Sequence, residues 1–214
     1  MKRSMKCVFT SHCLLAQVVR AEGIVKHSPG PVKAVVQFCL DNDINIIQMP
    51  CPESNCMAGG LGRAPHGKTW YERNGLREVC KEIAGDQVAY MCRLIEYGAE
   101  ILAVIGVEFS PACAVGYLNR GPIIEKDSGI FVEELKRELN RVRIEIPFIG
   151  VNERWHRKLK QQLGDLVGTP AEPKAQNTSQ SSNLALPRLA PLTVRGSAPK
   201  ANRRPLNVPK ALSA

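Results

Sequence analysis

The sequence predicts an α/β fold, with a mostly parallel sheet of about four strands lying between helices. Three observations carry this. Strand-length apolar runs alternate with longer segments whose apolar residues recur at helical spacing, from Lys6 to Gly164. The run "INIIQM" is largely apolar, as in strands buried on both faces of a parallel sheet. The chain has 214 residues, 44% of them apolar, which suits one domain with a real core.

In order, "KCVFT" predicts the first strand and "GPVKAVVQFCLDND" a helix. "INIIQM" is the second strand, and "TWYERNGLREVCKEIAGDQVAYMCRLIEYG" one or two helices with a break at Gly85. "EILAVIGVE" is the third strand. "SGIFVEELKRELNRV" follows as a helix, with Ser128 its expected N-cap and Glu133 and Glu134 early in it, where the dipole favours acids. "IPFIGV" is the fourth strand, and "NERWHRKLKQQLG" a closing helix from Asn152 to Gly164. Strand–helix alternation with right-handed crossovers gives a Rossmann-like three-layer fold.

The formal net charge is +9, but residues 168–214 hold seven Lys or Arg and one acid, a surplus of six. Residues 1–167 therefore carry +3 (9 − 6), ordinary for a folded domain. The stretch 168–214 has no Phe, Tyr or Trp and is rich in Pro, Ser, Ala and Asn, so it is expected to be a disordered basic tail. A nucleic-acid role is expected only through this tail. The N-terminal segment has no signal-peptide pattern and no apolar run is long enough to span a membrane, so a cytoplasmic location and no membrane partner are expected.

Eight cysteines without an export signal argue against a disulfide framework. Cys7, Cys39, Cys80 and Cys92 fall inside strand or helix patterns and are expected to be small buried hydrophobes. Cys13, Cys51 and Cys113 each follow a predicted strand, in "TSHCLL", "QMPCPE" and "GVEFSPAC". Parallel strands end on one edge, where ligands bind in open α/β sheets, so these loops are expected to converge. Three thiolates suit zinc, with Cys56 or His12 as a fourth ligand, or an iron–sulfur cluster. Spacing alone does not choose between them.

The motifs "SHCLL", "QMPCPE", "SPAC" and "GIFVEEL", in that order, resemble the thiouracil desulfurase family and most of all its related desulfidase group, over roughly residues 5–151. Two features depart from the family pattern: Ala114 stands where glycine is usual, and "LLAQVVRAEG" follows the family's continuation only loosely. The resemblance implies a 4Fe–4S cluster held by Cys13, Cys51 and Cys113, whose open iron takes sulfur from a small thiolated substrate. It also implies an acid/base role for Glu53 and a site role for Ser110. Without it, Glu53 is a loop or capping carboxylate and Ser110 a turn hydroxyl. Glu53, two residues from Cys51, is within reach of water or a ring nitrogen for such a role. Cys56 is expected to be a bystander. Arg63, His66 and Lys68, in a glycine-rich loop, fit substrate contact and a solvated loop equally well. His27 and His156 carry no assignment. A non-catalytic zinc or iron–sulfur protein stands as the alternative.

Overall fold

The computed structural model describes residues 2–56, 59–152 and 156–168. The elements are β1 (Lys6–Thr10), α1 (His12–Leu15), a 3-10 turn (Gln17–Val19), α2 (Lys33–Asp41), β2 (Asn45–Gln48), α3 (Pro52–Asn55), α4 (Lys68–Arg73) and α5 (Leu76–Glu96). They continue with β3 (Glu100–Val107), β4 (Leu118–Arg120), β5 (Ile123–Glu125), α6 (Ile130–Arg141), β6 (Phe148–Val151) and α7 (His156–Gly168). Four strands form a parallel sheet in the order β2-β1-β3-β6, and β4 and β5 form a separate antiparallel pair.

Side-chain alternation along the central strands divides the core in two. Cys7 and Phe9 of β1 and Val104 of β3 point into one cluster with Cys80 and Met91 of α5 and Phe131 and Leu135 of α6. Val8, Ala103 and Ile105 point to the other face, against Val35 and Cys39 of α2 and Leu159 and Leu163 of α7. Helices thus cover both faces of the sheet, the three-layer arrangement expected. Each large apolar side chain buried this way contributes about 1.5–3 kcal/mol. Cys7, Cys39 and Cys80 are buried within these clusters; Cys92 is half-buried at the edge of the first.

Several boundaries differ from expectation. The long helical stretch breaks at Gly75, whose φ of +82° no helix interior accepts, and not at Gly85, which lies inside α5. The N-cap of α6 is Gly129, not Ser128, whose hydroxyl donates to the Val115 carbonyl. The closing helix begins at His156 and passes through Gly164 to Gly168. The β4–β5 pair was not expected: strands of three residues leave too little periodicity to detect. The tail beyond Gly168 lies outside the described residues, as does the side chain of His156. Among the described residues, no helix is long and apolar enough to cross a membrane.

Candidate metal and substrate cleft

The register sets Thr10 beside Gln48 and Ile105, and Val107 beside Val151, so all four parallel strands end on one edge. Cys13 follows on α1, Cys51 is the N-cap of α3, and Cys113 lies in the loop after β3. All three line one cleft of about 650 Å³, together with Glu53, Ser110 and Arg63.

The Cys113 loop is held from two sides. Phe109, at φ +66°, reverses the chain after β3, and the loop returns over Gly106 so that Val107 N–H donates to the Cys113 carbonyl at 3.0 Å. A Cβ on Gly106 would stand 2.3 Å from that carbonyl oxygen, so this packing needs glycine. From the other side, the first N–H groups of α6 need acceptors and have no side-chain cap. Ile130 donates to the Pro111 carbonyl at 3.0 Å, Phe131 to Ala112 at 2.9 Å, and Gly129 to Ala114 at 2.8 Å. Ala114 is fully buried and keeps a negative φ, so alanine fits where the family pattern has glycine.

Burial raises the Cys13 thiol to about 12, and the charges of Cys51 and Glu53 add to it while Arg20 opposes it. Burial likewise lifts Cys113 well above the ordinary thiol range, reinforced by Cys13 and Cys51 and opposed by a hydrogen bond from Ser11. These thiols are close enough to oppose one another's ionisation, and a bound cation would reverse that preference. Ser11, in "TSHC", is a contact that sequence reasoning missed, because a serine beside a cysteine carries no signal of its own.

Cys56 is not part of this set. Its thiol is buried in the core and donates to the Asn74 carbonyl at 3.5 Å, away from the cleft. Among the described residues, no group of three or more His, Cys, Asp or Glu side chains is placed to hold a single metal ion. The three cleft cysteines share a wall without closing around one point.

Glu53 is 8% exposed and has both oxygens engaged. Oε1 accepts the Ser110 hydroxyl at 3.1 Å, and Oε2 accepts Arg63 Nη2 at 2.9 Å and Nε at 3.3 Å. The Ser110 oxygen accepts N–H groups from Cys113 at 3.0 Å and Ala112 at 3.3 Å, so its one proton is directed at Glu53. Glu53 therefore sits in a buried ion pair with Arg63. Burial opposes the Arg63 charge, but the hydrogen bonds and charge of Glu53 outweigh it and raise its pKa, while burial and Glu53 push the Tyr71 phenol up to about 12.

The glycine-rich loop divides. Arg63 is buried against Glu53. Lys68 pairs with Asp127 at 2.9 Å and Glu133 at 2.5 Å, tying α4 to the start of α6. His66 stacks on Trp70 at 3.7 Å, and His12, His27, His66 and Lys68 also line the cleft. His27 thus lies at the cleft although nothing in the sequence marked it.

The family described as "Putative 2-thiouracil desulfurase" matches residues 5–122, more than half of the chain and the stretch that carries all three cleft cysteines. An uncharacterized protein of Methanocaldococcus jannaschii, MJ0003, is 27% identical over 167 residues, covering 77% of this chain and 99% of the relative. A solved structure of TudS, a 4Fe–4S-dependent thiouracil desulfidase, matches 76% of this chain and 99% of its own at 20% identity with a TM-score of 0.43. On the match over residues 5–122, this chain belongs to the putative 2-thiouracil desulfurase family.

Proposed function

We propose that this protein is an enzyme that replaces the sulfur of a small thiolated compound with oxygen from water, using a 4Fe–4S cluster held by Cys13, Cys51 and Cys113. The observation that carries this reading is the meeting of three thiols with the Glu53–Ser110 pair in one cleft. Family membership supports a thiouracil-like substrate class. The donor set fits such a cluster: three soft ligands, with Cys56 turned away into the core. A zinc site completed by Cys56 does not fit that position.

When bound, such a cluster supplies a Lewis-acidic iron without a protein ligand, able to accept sulfur. The chain's own residues handle water and protons. Glu53 Oε1 faces Ser110 and takes a proton from the water that attacks the thiocarbonyl carbon. Ser110, fixed by two backbone N–H groups, holds that oxygen in place and hydrogen-bonds it through the transfer. The C=S bond and one water become a C=O bond and hydrogen sulfide. Carbon keeps its oxidation level, so no reductant enters.

The test is direct. Anaerobically purified, iron-loaded protein given 2-thiouracil is expected to release sulfide and uracil in equal amounts. Full iron loading with no sulfide release from thiolated pyrimidines overturns the proposal.

A further inference from the structure

We infer that Arg63 is a positioning residue that assigns different tasks to the two oxygens of Glu53, locking Oε2 and leaving Oε1 to Ser110 and the cleft. The catalytic part of this inference rests on the function proposed above.

Arg63 and Glu53 form a buried pair with unusual geometry. An arginine fork commonly engages both oxygens of a carboxylate. Here Nη2 and Nε both donate to Oε2, at 2.9 and 3.3 Å, and neither bonds to Oε1. The guanidinium is not free to follow the carboxylate. Nη1 donates to the Val19 carbonyl at 2.7 Å and the Gly60 carbonyl at 3.0 Å, and Nε also reaches the Tyr71 hydroxyl at 3.1 Å. Anchored on three other acceptors, Arg63 sets the carboxylate plane and not the reverse. Most of its donors are occupied by protein groups, which suits a support for Glu53 and not a contact with substrate.

The anchors also join two walls of the cleft. Val19 belongs to the turn after the Cys13 helix, whereas Gly60 lies beyond the Cys51–Glu53 segment. Arg63 bridges them through its side chain, and its carbonyl accepts Glu22 N–H at 2.9 Å. That backbone bond survives replacement of the side chain. The walls then keep one tie while Glu53 Oε2 loses its arginine and Oε1 keeps Ser110.

The experiment is a pair of double-mutant cycles on the iron-loaded enzyme, using Arg63→Met, Arg63→Lys, Glu53→Gln and their combinations. In the first cycle, kcat and KM for 2-thiouracil are measured alongside iron and sulfide content. Arg63→Met is expected to keep its iron and to lower kcat about tenfold or more, with KM within about threefold of wild type. In the Glu53→Gln background the same substitution is expected to change kcat less than about twofold, because Arg63 acts through Glu53. Arg63→Lys recovers part of the loss, since an ammonium can sit at Oε2 without reaching Val19 and Gly60 as well. Losses that multiply in the combined variant, or a wild-type kcat in Arg63→Met, overturn the assignment.

The second cycle measures urea unfolding and needs no substrate. The two substitutions are expected to be coupled by about tenfold or more in the unfolding equilibrium, and independent effects overturn the pairing. An iron-loaded wild type that leaves 2-thiouracil untouched defeats the proposed reaction, and the unfolding cycle then decides the pairing alone. If Arg63→Met does not fold, Arg63→Lys takes its place in both cycles.

Discussion

Replacing Gly106 with alanine sets a methyl group against the loop that carries Cys113, inside the central sheet. The new Cβ would lie 2.3 Å from the Cys113 carbonyl oxygen and 2.8 Å from Val115 Cγ2. Contacts of this kind settle at about 3.5 Å, so something must retreat by about an ångström. β3 cannot, because β1 and β6 hold it on both sides. The loop moves instead and loses the bond from Val107 N–H to the Cys113 carbonyl. Overpacking costs about 1–3 kcal/mol and a lost backbone hydrogen bond about 1 kcal/mol, giving a destabilisation of about 2–4 kcal/mol. With a urea dependence of about 2 kcal/mol per molar, the middle of the usual range, the unfolding midpoint falls by about 1–2 M. Iron content falls with it, because the Cys113 sulfur is displaced. Gly85→Ala is the control: it lies inside α5, its Cβ meets nothing within 4 Å, and it is expected to stabilise by about 0.5–1 kcal/mol with iron unchanged. A Gly106→Ala protein with the wild-type midpoint and full iron would refute the role given to this close approach.

Further outcomes follow from the cleft and its supports. Cys13→Ala, Cys51→Ala and Cys113→Ala are each expected to abolish cluster binding by iron and sulfide analysis, while Cys56→Ala retains it; full loading in any of the first three contradicts the ligand set. Glu53→Gln is expected to keep the cluster and to lower turnover about a hundredfold, and unchanged turnover removes Glu53 from the chemistry. Burial raises the Asp127 pKa, but bonds from Lys68 and the Ser128 N–H outweigh it and hold the group below the ordinary carboxylate range. Its contribution is therefore present above the unfolded-state value and lost as pH falls through the folded one. Asp127→Asn is expected to cost about 1 kcal/mol at neutral pH, with the difference from wild type shrinking on acidification. A pH-independent difference in unfolding free energy contradicts that sign.

The three-layer fold was legible because it rests on long-range regularities: alternation in β1 and β3, and helical spacing in α5 and α6. The convergence of Cys13, Cys51 and Cys113 followed from parallel strands ending on one edge. Details set by tertiary contact were not legible. Ser128 has the chemistry of an N-cap, yet the carbonyls of Pro111, Ala112 and Ala114 satisfy the start of α6. Gly85 resembles a breaker, yet the chain breaks where a left-handed residue is required, at Gly75. Arg63 was visible only as one cation in a glycine-rich loop. Its pairing with Glu53 depends on that loop folding back under the Cys51 segment, which no local pattern records.

The measurement that tests the central claim most directly is iron, acid-labile sulfide and zinc per chain after purification without oxygen. The account predicts about four irons and four sulfides per chain, with little zinc. About one zinc per chain with no labile sulfide would contradict it, leaving a thiol-lined cleft that holds a structural metal without desulfidase chemistry.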